Sequence, residues 1–325
     1  MNRTNRILVA ALALQIVLVA VVFWPRPAAS VASGESLFAD LEADQIVRLT
    51  ISDGGSNQIV LAKGAEGWVV PDADDYPTQG NKVPDFVDKL VALKADRLVT
   101  ETEGSHKRLK VAEGSFNRLV EFELADGTVH ELYLGTSPTY KVTHVRADDE
   151  KEVYLVSDLS TSDVGAQATS WVDGIYYSVV QDDIVAITLE NAHGRLAFEK
   201  DDAGAWTLRD LAPDETLLEN NVMSLATRAA LLRMQRPLGK TEKEEYGLKE
   251  PNAVVTVKTR DGDGNEETVT LRVGAQSEED SSYVVISSGS PYYVRVADYT
   301  VRDYVEKSRD DYLQPPETPT PEPTS

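Results

Sequence analysis

The sequence predicts an α+β protein, with an N-terminal transmembrane helix followed by two tandem repeats of an antiparallel sheet, each covered by one principal helix. Three observations carry that prediction. The first is an internal echo: Gln45, Ile46, Val47, Arg48, Leu49, Thr50 and Ile51 return as Asp183, Ile184, Val185, Ala186, Ile187, Thr188 and Leu189. Trp68 and Trp206 keep the same spacing (206 − 68 = 138). Past one inserted residue, Phe86 matches Leu225, Leu93 matches Leu232, Gly135 matches Gly274 and Tyr154 matches Tyr293 (293 − 154 = 139). A period this long means two copies of a whole domain, because solenoid units repeat every 20–50 residues or so. The second observation is that strand-like and helix-like patterns come in the same order in both copies. The third is the apolar run at residues 7–24.

That run is interrupted only by Gln15 and follows Arg3 and Arg6, with no acidic residue before it. At ~1.5 Å per residue it gives about 27 Å of helix, enough for a hydrocarbon core. A secretory signal peptide is the rival reading, although its apolar region usually runs about 7–15 residues. Positive charge on the short N-terminal side puts residues 1–24 down as a cytoplasmic N-terminus and anchor in the cytoplasmic membrane, with everything after Trp24 extracytoplasmic. Residues 25–36 form a Pro/Ala/Ser linker.

The first α+β repeat is assigned to residues 37–160. Residues 46–51 and 58–62 are β-rich runs around Asp53, Gly54 and Gly55, which reads as a hairpin. Trp68 opens a third short strand. Val83, Phe86, Val87, Leu90 and Leu93 then recur at helical steps, with Pro84 acceptable in the first turn. Strands return at 119–124 and 128–134, about a turn at Asp126 and Gly127, and continue at 142–146 and 153–156. An inter-repeat linker at 161–178 carries Trp171. The second repeat, 179–307, runs through the same order: strands at 184–189 and 195–199, Trp206, and a helix stripe of Leu218, Val222, Leu225, Ala229 and Leu232. A large hairpin about Asp261, Gly262, Asp263, Gly264 and Asn265 follows, then strands near 283–286 and 292–296. Residues 308–325 are Pro-rich at their end and read as a disordered tail.

Composition narrows function by exclusion. The formal charge of −22 is unsuited to nucleic acid or anionic lipid surfaces, so no nucleic-acid partner is expected. The absence of cysteine excludes disulfides, thiol catalysis and cysteine–zinc sites. There is no phosphate-binding loop, nucleophile elbow, zinc-protease motif or dinucleotide fingerprint. His106, His130, His144 and His193 lie apart without metal-ligand spacing. The Asp261 loop places Glu266 and Arg272 where a calcium loop wants Gly and Glu, so a hairpin turn explains it. Asp72, Asp74 and Asp75, like Glu278, Glu279 and Asp280, read as acidic loops. Trp68 and Trp206 read as matched core anchors, with a ligand platform as the alternative. No catalytic, cofactor or metal residue is assigned.

The repeated unit joins D-x-I-x-x-I/L-T-I/L, a Gly-Trp or Ala-Trp strand, and an amphipathic helix with a Leu-rich end and Arg97 or Arg236. A D-G hairpin, L-x-L/V-G and a V-Y-L-V or Y-V-R-V strand complete it. In these features the chain resembles an uncharacterised bacterial domain-of-unknown-function family of membrane-anchored proteins found beside gliding-motility-type ABC transporter genes. The resemblance covers roughly residues 37–307 and the anchor, and implies subunits of an ABC transporter as partner. The expected function is a non-enzymatic extracytoplasmic accessory or scaffold protein. A solute- or glycan-binding module, and a carboxylate-dependent envelope hydrolase, stand as alternatives.

Overall fold

The computed structural model describes residues 34–315 apart from residue 202. The first half runs β1 (Ile46–Asp53), β2 (Gln58–Lys63), β3 (Trp68–Val70), β4 (Tyr76–Pro77), α1 (Lys82–Val91), β5 (Arg97–Thr100) and α2 (Glu103–Leu109). It continues with β6 (Val111–Ala112), β7 (Ser115–Phe116), β8 (Arg118–Leu124), β9 (Val129–Leu134), β10 (Val142–Ala147) and β11 (Val153–Ser157). The second half runs β12 (Ile175–Ser178), β13 (Ile184–Asn191), β14 (Gly194–Lys200), β15 (Trp206–Leu208), α3 (Glu219–Ala230), β16 (Leu231–Arg233) and β17 (Arg236–Gly239). It ends with β18 (Ala253–Arg260), β19 (Glu266–Gln276), β20 (Tyr283–Ser287), β21 (Tyr293–Val296) and α4 (Asp298–Glu306).

The fold class expected from sequence is corrected on two points. The described chain is mostly antiparallel sheet with four helices, two in each half, so α2 and α4 are additional to the principal helices. Both extra helices are short, which gives a periodicity argument little to work on. None of the described helices is long and apolar enough to cross a membrane. The run at residues 7–24, to which the membrane helix was assigned, lies outside the described residues.

Two large sheets carry the fold. The first has nine strands in the order β4-β3-β2-β1-β8-β9-β10-β11-β5, and the second has eight in the order β15-β14-β13-β18-β19-β20-β21-β17. With the edge strand β4 set aside, the two orders correspond strand for strand. Even the irregularities match. β1 bulges against β8 between Ile46 and Arg48, and β13 bulges against β18 between Ile184 and Ala186. A bulge adds one residue to a strand, so Ile46 and Leu49, three apart, both face inward, as do Ile184 and Ile187.

Each sheet buries one face under its long helix. Val83, Phe86, Val87 and Leu90 form the apolar stripe of α1 and join Leu49, Ile51, Phe122 and Leu132 in the core. Burying four such side chains contributes roughly 6–12 kcal/mol as an upper bound. Leu90→Ala alone costs about 2–5 kcal/mol. The opposite face of each sheet carries a smaller cluster: Leu109, Val111, Tyr133 and Val153 in the first half, Tyr246, Leu248 and Val284 in the second. Strand alternation puts Tyr133 on the far side from Leu132 and Leu134.

These smaller clusters explain the matched glycines. A Cβ on Gly135 would stand 2.0 Å from the Leu109 carbonyl oxygen, and one on Gly274 would stand 2.0 Å from that of Tyr246. Asn117 and Asn252 lock the arrangement by donating from Nδ2 to the carbonyls of Gly135 (2.8 Å) and Gly274 (2.7 Å). Only glycine permits that approach of two backbones.

The halves share a single core, which runs from Phe38 to Tyr312 and includes Trp171, Val172 and Tyr177 from the connecting segment. Trp171 is 2% exposed, packs its ring against Phe86 (5.4 Å between centroids) and donates from Nε1 to Gly165 O at 2.7 Å. Its carbonyl accepts the Gln79 N–H at 2.7 Å just before α1. Tyr312 does the same for Leu218 at 2.8 Å just before α3. Residues 308–314, which the sequence reading placed in the tail, therefore pack against the second half. Residues 316–325 lie outside the described residues. A second seam joins the halves directly: Lys240 N–H donates to Asp74 Oδ2 (2.5 Å), Tyr292 O–H to Asp75 O (3.2 Å), and the rings of Tyr76 and Tyr292 meet at 4.7 Å.

Candidate functional site

A cleft of about 810 Å³ opens between the halves beside this seam. Its β2 side follows from a sequence difference between the repeats. In the second half, Arg209 continues the edge strand past Leu208 and donates its N–H to Ala197 O at 2.9 Å. The residue at the same place in the first half is Pro71 (209 − 71 = 138), which has no N–H to donate. The chain turns away there into a 3₁₀ turn, Pro71–Ala73, and β3 ends at Val70. The space left along β2 forms one side of the cleft.

Three walls enclose it. Ser56, Asn57, Gln58, Ile59 and Val60 come from the β1–β2 turn and β2. Ala166 to Thr169 come from the connecting segment. Gln235, Arg236, Pro237 and Leu238, with Lys243 and Tyr246, come from the second half. Four neutral amides (Asn57, Gln58, Gln167 and Gln235) converge with two cations (Arg236 and Lys243) and three carboxylates (Asp72, Glu279 and Asp280). This is a polar site of mixed charge within the size range of small-ligand and peptide sites, about 300–1,000 Å³.

Its electrostatics argue against proton transfer by Asp280. The Ser282 hydroxyl (2.6 Å) and the Ser282 N–H (3.1 Å) both donate to its Oδ1, which holds the carboxyl down at about 2. A carboxylate held that low is a fixed anion, not an acid for a leaving group near neutral pH. The carboxyls raised by burial lie elsewhere. Glu121, opposite Glu131 across β8 and β9, is raised first by burial and then by that neighbour; Glu150 is raised chiefly by burial. Neither lines the cleft.

The residues considered from sequence fall as follows. Trp206 is 8% exposed and borders a smaller groove of about 250 Å³, where Lys200 Nζ sits 5.3 Å from its ring centroid. Trp68 is half-buried against the core, and neither tryptophan lines the cleft. The histidines stay apart: His106 Nε2 donates to Lys151 O (2.9 Å), His130 Nδ1 meets Asp148 Oδ2 (2.9 Å), His144 Nδ1 donates to Thr136 O (2.7 Å), and His193 is exposed. Asp261 accepts the N–H groups of Asp263 and Asn265 and the Asn265 side-chain amide, as a turn residue does. Among the described residues no group of three or more His, Asp or Glu side chains is arranged to hold a metal ion.

The acidic loops, unremarkable in the sequence, take defined places in the fold. Asp74 and Asp75 join the halves, while Asp72, Glu279 and Asp280 line the cleft. The signal available was the proline: aligning the repeats sets Pro71 against Arg209, a strand breaker in one copy only.

No characterised protein and no solved structure matches the chain. The profile of one family, described as a domain of unknown function (DUF4340), matches residues 68–251. The match begins at β3, crosses the connecting segment and ends just before β18, so it contains Pro71 and most of the cleft. It covers more than half of the sequence, and this chain belongs to the DUF4340 family.

Proposed function

We propose that this chain is a non-enzymatic accessory module that holds a partner in the cleft between its halves. Subunits of an ABC-type transporter are the first candidate partner, on the extracytoplasmic side of the membrane. The observation carrying this reading is the cleft itself. It is a preformed, mixed-charge cavity fixed between two sheets that share one core and are tied by Asp74, Asp75 and Trp171. A site already in its bound shape loses little conformational freedom on association. The transporter as partner rests on the family resemblance seen in the sequence.

A glycan- or solute-binding role is the second reading, favoured by the four side-chain amides in the cleft. A hydrolase would need a general acid other than Asp280, whose carboxyl is held ionised. Co-purification of the full chain from membranes in mild detergent, followed by mass spectrometry, tests the proposal. Stoichiometric recovery of transporter subunits is the expected outcome. A chain that comes through alone and binds a soluble glycan in the cleft moves the assignment to the second reading.

A further inference from the structure

We propose that the cleft takes an extended peptide segment of a partner protein, which adds as a strand to the open edge of β2. This rests on the reading of the cleft as a partner site and names the partner's chemistry. The edge follows from hydrogen-bond parity. In an antiparallel pair, opposed residues alternate between bonded and non-bonded. Asp53 N–H donates to Asn57 O at 3.1 Å, so the bonded pairs between β1 and β2 continue at Ile51 with Ile59 and Leu49 with Leu61. Gln58 and Val60 therefore turn their N–H and C=O groups away from β1. On that side β3 pairs only with Ala62 and Lys63. Two donors and two acceptors are left open, and both residues line the cleft. In the second half the position matching Val60 is covered, where the Arg209 N–H donates to Ala197 O.

A free strand edge presents donors and acceptors at the repeat of an extended chain, about 6.6–6.8 Å for every two residues. Another extended backbone matches that repeat, whereas the hydroxyls of a glycan have no such register. On the facing wall two positions offer the peptide no backbone donor. Pro237 has no N–H, and the Lys240 N–H is already given to Asp74. β17 and the turn after it contribute side chains instead: Arg236 and Lys243 for acidic positions of the peptide, Leu238 for an apolar one.

The test pans a display library of random linear peptides on the immobilised full chain, then measures the binding of synthetic copies of those selected. Val60→Pro removes the outward N–H and replaces a half-buried side chain, at a kind of position where proline is tolerated in strands. Thr169→Trp fills the cleft from an exposed position and leaves the residues of β2 unchanged. Circular dichroism and thermal melting check that both variants fold. The expected result is binding to the wild type that weakens about tenfold or more in both variants. Bound peptide should also slow hydrogen exchange at the Gln58 and Val60 amides. Peptides that bind Val60→Pro as tightly as wild type, absent protection of those amides, or no enriched peptide at all would overturn the proposal. So would binding of a chitooligosaccharide probe in the cleft with no peptide bound there. If Val60→Pro does not fold, Thr169→Trp and the exchange measurement decide. A transporter subunit captured at the cleft without protection of Gln58 and Val60 sinks strand addition alone. No captured partner at all sinks the accessory reading with it.

Discussion

Trp171→Ala should be severely destabilising. The side chain is 2% exposed, touches Phe86 of α1, and gives its indole N–H to Gly165 O. Truncating a buried tryptophan to alanine costs about 3–5 kcal/mol, and the abandoned Gly165 carbonyl adds about 1–3 kcal/mol where water cannot reach it. Partial collapse of the cavity offsets some of this, so roughly 4–6 kcal/mol is expected. Trp171→Phe separates the contributions: it keeps the ring against Phe86 and loses the hydrogen bond, for about 1–3 kcal/mol. Trp68→Ala, at a half-buried site, should cost clearly less than Trp171→Ala. The assay is urea unfolding of the full chain, followed by both far-ultraviolet circular dichroism and tyrosine fluorescence. Because one core spans both halves, the two probes should report a single transition. A Trp171→Ala variant within about 0.5 kcal/mol of wild type would refute the reasoning, since that is the range of surface substitutions.

Three further outcomes follow from the geometry. Gly135→Ala and Gly274→Ala should each destabilise by about 1–3 kcal/mol, because a Cβ at either position meets a backbone carbonyl that cannot step aside; unfolding midpoints near wild type would show that the two backbones can separate. Asp280 should titrate at about 2 in a carbon-detected NMR experiment, below its ordinary 3.8. Its depressed value means that its contribution to stability is present above about 4 and is lost as the pH falls towards 2. Ser282→Ala should move that titration upward, and an unmoved Asp280 would show that the Ser282 hydroxyl is not the cause. Chelator should leave the thermal melt unchanged, because Asp261 spends its carboxylate on its own turn; a fall of several degrees reversed by calcium would reassign that loop.

The repeat was legible because it is written in side chains that must face a core. Ile46 and Ile184, Gly135 and Gly274, and the stripes of α1 and α3 each carry a constraint that alternation, helical spacing or a close backbone approach imposes on sequence. Trp171 carried no such mark: it lies in an irregular segment with no period, and only the fold brings it under Phe86. α2 and α4 were missed because seven to nine residues give too few turns for a periodic signal. The cleft was out of reach as a whole, since its walls come from residues 56–60, 166–169 and 235–246. The open edge of β2 was nonetheless visible at one position, where Pro71 stands against Arg209 in the repeat.

The central claim is that the cleft between the halves is where this protein meets its partner. A photo-crosslinking amino acid at Gln167, an exposed residue of the cleft wall, tests it in cells, with the 88%-exposed Tyr140 as the control position. The account predicts a covalent adduct from position 167 to a defined partner, a transporter subunit on the present reading, and none from position 140. Adducts at position 140 with none at 167 would contradict it.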